Sequence, residues 1–142
     1  MAERPRIVVD TNVLVSRLLG PRSVPGEAVR RAADRGVLLV SEVTMAELAG
    51  VLARPKFDAY VSVEERQRFL RLLGRIALMV PILHRVQACR DPRDDMFLEV
   101  AVNGEADLIV SGDADMVAMR SFRRVPILTP AAYLAGDERS PR

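Results

Sequence analysis

The residues in this chain best able to do chemistry are carboxylates. Asp10, Glu47, Asp94 and Asp113 come from four separate segments, each set against apolar runs that must fold around it. Brought within about 4 Å, each pair of such charges repels by ~1 kcal/mol in water and by more when buried. A cluster of this kind persists only if a cation neutralises it or the pKa values rise. Oxygen donors without His or Cys suit Mg²⁺ or Mn²⁺. One or two such ions in a crevice activate water and stabilise a leaving oxygen, the apparatus of phosphodiester hydrolysis. No protein nucleophile is then required.

Composition narrows the field in the same direction. The chain has 142 residues with 1 His, 1 Cys and no Trp. A single Cys excludes an internal disulfide and a thiolate zinc cage. His84 and Cys89 lie five positions apart with nothing else to complete a dyad, so Cys89 reads as core packing and His84 as a strand or loop residue. No Gly-x-Gly dinucleotide fingerprint and no phosphate loop ending in Gly-Lys-Ser/Thr is present. The net charge of +2 is mild, and every basic residue but Lys56 is arginine, which suits phosphate but also fits a GC-rich codon bias. The longest apolar run, Ile76 to Leu83, contains Pro81 and falls far short of the roughly 20 residues of a membrane span. The apolar run Ile7 to Val9 is too short for a signal peptide, so a cytoplasmic location is expected.

The elements that position these acids are short. Ile7–Val9, Val37–Val40, Leu108–Val110 and Val125–Leu128 read as buried strands. Helices are predicted from Asn12 to Leu19, from Pro25 to Arg35 and from Ser41 or Glu42 to Arg54. Others run from Ser62 to Met79, from Asp91-Pro92 to Gly104, from Asp113 to Arg120 and from Pro130 to Leu134. On the Ser62 helix, Phe69, Leu72, Leu73 and Ile76 form the apolar stripe, and Arg66, Arg68, Arg71 and Arg75 the outer face. Alternating strands and helices predict an α/β fold, a central parallel sheet of four to five strands with helices on both faces. In such folds the carboxyl ends of the strands line the functional crevice.

Each acid also has an ordinary structural reading. Asp10 and Asp113 follow strands and precede helices, where either can serve as a helix cap. Glu47 falls beside the apolar positions Val43, Leu48, Val51 and Leu52, so it either points into a polar crevice, pairs with an Arg, or marks a stripe drawn too wide. Asp91 fits an N-cap ahead of Pro92. Asp94 shares a helix face with Phe97, Leu98 and Ala101 and should point inward, whereas Asp95 should be solvated.

Taken together these segments resemble a known family. Ile7-Val8-Val9-Asp10-Thr11-Asn12-Val13 is similar to the opening of PIN domains, which are metal-dependent ribonucleases. Glu47-Leu48 with Val51 to Phe57, Asp91 to Glu99, and Ala106 to Asp115 are similar, in order and spacing, to one bacterial branch described as VapC-like toxins of toxin–antitoxin systems. The resemblance covers about Arg6 to Leu134. A single PIN-like domain is expected over residues 1–135, and the polar stretch 136–142 reads as a flexible tail. The resemblance implies a metal-dependent endoribonuclease whose acidic quartet is Asp10, Glu47, Asp94 and Asp113, holding Mg²⁺ or Mn²⁺. Asn12 and Ser111 match polar positions that orient the acids, and Asp115 an accessory acid. Asp91 matches an acid without an assigned role. Arg93 stands where an acid is common and can touch a phosphate or pair with Asp94 or Asp95. Asp95 stands where Asn is frequent. The resemblance further implies an RNA substrate, a homodimer and a small antitoxin covering the site.

Other readings fit less of the chain. A haloacid-dehalogenase-type phosphatase needs an acid where Asn12 stands and a Lys near the phosphate. A phospho-receiver domain needs an acidic pair before the first strand. A PIN fold that binds RNA or protein without cutting remains the main alternative.

Overall fold

The computed structural model describes residues 4–88 and 91–136. Arg6–Val9 forms β1, and Thr11–Leu19 forms α1 directly after it. Val24–Arg35 is α2, opened by the Ser23 hydroxyl accepting from the Gly26 amide, with Pro25 in the first turn. Val37–Val40 is β2 and Glu42–Leu52 is α3, which begins with a reciprocal cap between Ser41 and Thr44. A 3₁₀ turn at Pro55–Phe57 leads to α4, Val63–Ile76, capped reciprocally by Ser62 and Glu65. Leu78–Met79 is β3. A second 3₁₀ turn, Pro92–Asp94, runs into α5, Asp95–Asn103. The chain finishes with β4 (Leu108–Val110), α6 (Ala114–Ala118), β5 (Ser121–Phe122), β6 (Val125–Leu128) and α7 (Pro130–Gly136).

The sheet has the order β3-β2-β1-β4-β6-β5. All neighbouring strands pair in parallel except β5, which turns back antiparallel on β6. Val8 on β1 lies between Leu39 on β2 and Ile109 on β4. The chain leaves β1 on one side for β2 and later returns on the other for β4. This reversal makes β1 and β4 the switch point, where a crevice opens at the strands' carboxyl edge.

Both faces of the central strands β1, β2 and β4 are covered, so they are apolar apart from Arg6 at the start of β1. Ile7 and Val9 point into one core with Val13, Leu48 and Leu52, while Val8 points into the other with Val100, Ile109 and Met116. This is the two-residue alternation of a strand read from both faces. Among the described residues, no helix is long and apolar enough to cross a membrane.

Three local expectations are corrected. The helix after Ser62 stops at Ile76 rather than Met79, because Ala77 turns extended and Leu78 and Met79 pair with Leu39 and Val40. Leu72 and Ile76 are half exposed, and Leu73 is the stripe residue that is buried. Arg66 is not on the outer face: it is 6% exposed and donates to the carbonyls of Leu52 and Val61 and to Asp58. The hairpin strand β5 had no counterpart in the sequence reading. Cys89 and residues 137–142 lie outside the described residues, and Gly136 closes α7.

Candidate active site

Asp10 leaves the end of β1 and turns the chain into α1. Its Oδ1 accepts from the Val13 amide at 3.0 Å, so it does cap the helix. Its other oxygen looks across the switch point, where Oδ2 accepts from the Ser111 hydroxyl at 2.5 Å and from the Gly112 amide at 3.1 Å. Ser111 follows β4 and is fully buried. Its Oγ in turn accepts from the Asp113 amide at 3.0 Å. One hydroxyl therefore fixes both the first acid and the backbone that carries the last. Asp113 caps α6, accepting from the amides of Asp115 and Met116.

The capping and the functional readings thus coexist, since each carboxylate spends one oxygen on a helix end. Asp10, Asn12, Glu47, Asp91, Asp94 and Asp113 line one small crevice of about 140 Å³, floored by Phe97. The predicted quartet is gathered there from β1, α3, the 3₁₀ turn before α5, and the end of β4. Burial pushes the Asp10 carboxyl above its ordinary value against the pull of Ser111 and two amides, and the Asp113 charge pushes the same way. Asp94 is pushed up to about 6, first by burial and then by the charge of Asp113, with which it shares a hydrogen bond. Asp91 and Asp10 add to that repulsion.

Glu47 reaches this crevice from α3 by a different route than its apolar neighbours suggested. Val43 is 54% exposed and Glu47 is itself exposed, while Leu48 and Val51 carry the buried face. The stripe was drawn one position too wide, and Glu47 stands on its polar border. Arg93 lines the crevice but pairs with Asp91 rather than with Asp94 or Asp95, through Nε at 3.2 Å and Nη2 at 2.9 Å. That pair, led by the Arg93 hydrogen bond, holds the Asp91 carboxyl below its ordinary value. Asp91 also caps the 3₁₀ turn through the Arg93 amide. Asp115 is exposed in the first turn of α6, outside the crevice.

Asp95 is a correction. It is 9% exposed, not solvated, and accepts from the Ala88 amide at 3.0 Å. The sequence alone suggests no role for Thr11. It is 6% exposed, lines the crevice, and its hydroxyl has no hydrogen-bond partner. The signal available was its place between Asp10 and Asn12, immediately after a buried strand.

Among the described residues, no three acidic, His or Cys side chains are already drawn together as a metal shell. The donors nonetheless fit a hard divalent cation in kind. They are carboxylates that repel one another, beside an orphaned buried hydroxyl, with neither sulfur nor imidazole in the crevice.

Comparison with known proteins places this arrangement. The PIN domain family model matches residues 6–115, and the chain belongs to that family. It is 26% identical over 117 residues to the uncharacterized protein MJ1680 of Methanocaldococcus jannaschii, covering 81% of this chain and 75% of that protein. Its fold is similar to a chain of the Rickettsia felis VapBC2 complex, solved with a DNA fragment from its promoter. The TM-score is 0.57 at 11% identity, over 86% of this chain and 96% of that one. It is also similar to the PIN domain endonuclease Utp24, with a TM-score of 0.54 at 17% identity over 87% and 84% of the two chains. Mycobacterium tuberculosis VapC20, a toxin that cleaves the sarcin-ricin loop, gives 0.54 at 13% identity over 84% and 98%. Family membership sets aside the phosphatase and receiver readings.

Proposed function

We propose that this PIN domain is a divalent-metal-dependent endoribonuclease, with Asp10, Glu47, Asp94 and Asp113 as its metal-holding and catalytic acids. The observation that carries the reading is the Asp94–Asp113 pair beside Asp10. Carboxylates from distant segments line one small crevice with Asp10 and Glu47, although folding could have placed them in water, and their mutual repulsion with burial raises the Asp94 pKa. Mg²⁺ or Mn²⁺ held by these acids would neutralise them and supply the acidity that turns water into a nucleophile at phosphorus. The chain's own contribution is positioning. Ser111 and the Gly112 amide fix the Asp10 oxygen that faces Asp113, and the Thr11 hydroxyl waits beside it. Asp94 can take or give a proton near neutral pH. Arg93 stands at the mouth, where a phosphate would arrive.

The same proposal makes the protein a cytoplasmic, homodimeric toxin restrained by a small antitoxin; the toxin and antitoxin part is suggested by the shared fold with a VapBC2 chain and with VapC20. The alternative, a PIN module that binds RNA or protein without cutting, is favoured by the open metal shell. Purified protein incubated with a fluorogenic RNA panel in Mg²⁺, Mn²⁺ or EDTA, beside Asp10→Asn, separates the two. Metal-dependent cleavage lost in the variant is expected. No cleavage, together with no metal-induced rise in melting temperature, would refute the proposal.

A further inference from the structure

A second chamber lies beside the acidic crevice. It is a cavity of about 650 Å³, inside the range of ordinary ligand sites, which run from roughly 300 to 1,000 Å³. The 3₁₀ turn divides the two, and Arg93 lines both. Helix α3 also faces both, with Glu47 over the crevice and Val43, one turn earlier, over the cavity. Ile82, Val86, Pro92 and Met96 give the cavity apolar walls.

One wall is an irregular segment, residues 80–88, that is nevertheless fixed. Asp95, Glu99 and Asn103 recur every fourth residue along α5 and grip its backbone in turn. Asp95 accepts from Ala88, Glu99 from Val86 at 3.0 Å, and Asn103 from Leu83 and His84 at 2.9 Å each. Asn103 also donates back to the His84 carbonyl at 2.8 Å. The two buried acids are thereby engaged with the wall, and Glu99 also holds Arg85 at 3.1 Å. The polar side chains that stand exposed at the cavity are Arg85, Gln87 and Arg93, two cations and an amide, beside the exposed apolar Val43 and Pro92.

We propose that this cavity is a nucleotide subsite, receiving the base and sugar next to the scissile phosphate of a single-stranded RNA. The proposal rests on the nuclease reading, because a strand cut at the crevice must continue past Arg93. Without a cation the acidic crevice repels RNA, so the grip on the strand in the metal-free protein must come from beside it. The apolar walls take the face of the base. Gln87 offers a donor and an acceptor to its edge, and the planar guanidiniums of Arg85 and Arg93 meet the flanking phosphate or stack on the ring.

The test is a titration of AMP, CMP, GMP and UMP, without metal and in EDTA, into isotope-labelled protein followed by NMR. Amide shifts confined to Val43, residues 82–88, Arg93 and Met96 are expected. Val43→Trp, which fills the cavity, and Gln87→Glu, which opposes the phosphate, should each weaken binding by roughly tenfold, about 1.4 kcal/mol. Both positions are exposed, so neither substitution enters the core. Absence of shifts at millimolar nucleotide, shifts elsewhere, or unchanged affinity in both variants would overturn the subsite. So would capture of an amphipathic peptide there with nucleotides inert. Because no metal is present, the two readings fail separately. Cavity shifts with neither cleavage nor metal-induced stabilisation would leave a nucleotide-binding cavity and remove the nuclease and with it the subsite's place in a cut strand, and metal-dependent cleavage without nucleotide shifts would do the reverse.

Discussion

Asp94 and Asp95 are consecutive residues that serve different chambers. Asp94 lines the crevice with Asp113, whose charge helps to raise its pKa, while Asp95 turns away and accepts from the Ala88 amide. The 3₁₀ turn ends and α5 begins between them, so one step along the chain carries a carboxylate from a reactive environment to a structural one. Substitutions should separate the two roles. Asp95→Asn keeps an oxygen acceptor and should be tolerated, whereas Asp95→Ala strands a loop amide and should cost about 1–3 kcal/mol in urea unfolding. Asp94→Asn should leave stability intact or raise it, and should abolish RNA cleavage and metal-induced stabilisation.

The raised carboxyls give the metal-free protein a definite pH dependence. Folded Asp94 keeps its proton up to about 6, whereas its ordinary value is 3.8. Between those values the folded state binds more protons than the unfolded chain, so stability falls as pH rises. The contribution is complete below 3.8 and lost through 6, and Asp10, also raised, acts in the same sense. Asp91 and Glu65, whose pKa values are lowered, act in the opposite sense, so calorimetry in EDTA should compare the parent with Asp94→Asn across this window. The parent's melting temperature should lose ground to that of Asp94→Asn as pH rises from about 4 to above 6. Added Mg²⁺ or Mn²⁺ should raise the melting temperature more near pH 7 than near pH 5, because the metal competes with the same protons.

Ser111 makes a sharper test of positioning than any acid. Its hydroxyl donates to Asp10 and accepts from the Asp113 amide while fully buried. Ser111→Ala should cost about 1–3 kcal/mol and leave both groups less satisfied. It also removes the side-chain bond that draws the Asp10 pKa down, so Asp10 should bind its proton more tightly. Cleavage should therefore fall most at low pH and recover in part as pH rises. A loss that is uniform across pH would assign Ser111 a packing role alone.

What was legible from sequence follows from how local each signal is. Asp10 and Asp113 stood out because a short apolar strand, an acid and a helix start are consecutive residues. The parallel sheet was legible for the same reason. Strands of two residues carry no periodicity, so Leu78–Met79 merged with the helix before it, and Ser121–Phe122 merged with a loop. Asp95 and Arg66 were assigned to solvent because a helical wheel shows which faces differ and not what covers them. The covers, residues 80–88 and the turn around Val61, are irregular segments that only the folded chain brings over.

Arg66 illustrates a stability role hidden by its charge. Its guanidinium donates to the Leu52 carbonyl at 2.9 Å and to the Val61 carbonyl at 2.9 and 3.1 Å, tying the end of α3 to the start of α4. Asp58, its ionic partner, is exposed. Removing the buried donor leaves buried carbonyls unsatisfied, so Arg66→Ala should cost at least about 3 kcal/mol. Asp58→Ala should cost under about 1 kcal/mol, since an exposed partner adds little. Equal losses in denaturant titration would show that the ion pair, and not the carbonyl bonds, dominates.

The hairpin between β5 and β6 holds strain that can be removed. Phe122 pairs with Val125, so the loop has two residues, Arg123 and Arg124, with φ of 48° and 72°. Positive φ at both central positions is the type I′ geometry that favours Asn-Gly. For residues with a Cβ it costs roughly 1–2 kcal/mol each. The Arg123 guanidinium lies 5.1 Å from the centre of the Phe122 ring, an exposed contact worth about 0.5–1 kcal/mol that offsets only part of this. Arg123→Asn with Arg124→Gly should therefore raise stability by about 1 kcal/mol or more, visible as a higher melting temperature with the fold unchanged. The turn joins β5 to the start of β6, and the crevice opens at the other end of the sheet, where β1 and β4 finish. Cleavage of a short RNA should therefore be unaffected. Weakened cleavage of long RNA alone would show that the two arginines are kept, despite their strain, to hold phosphate at a distance from the site.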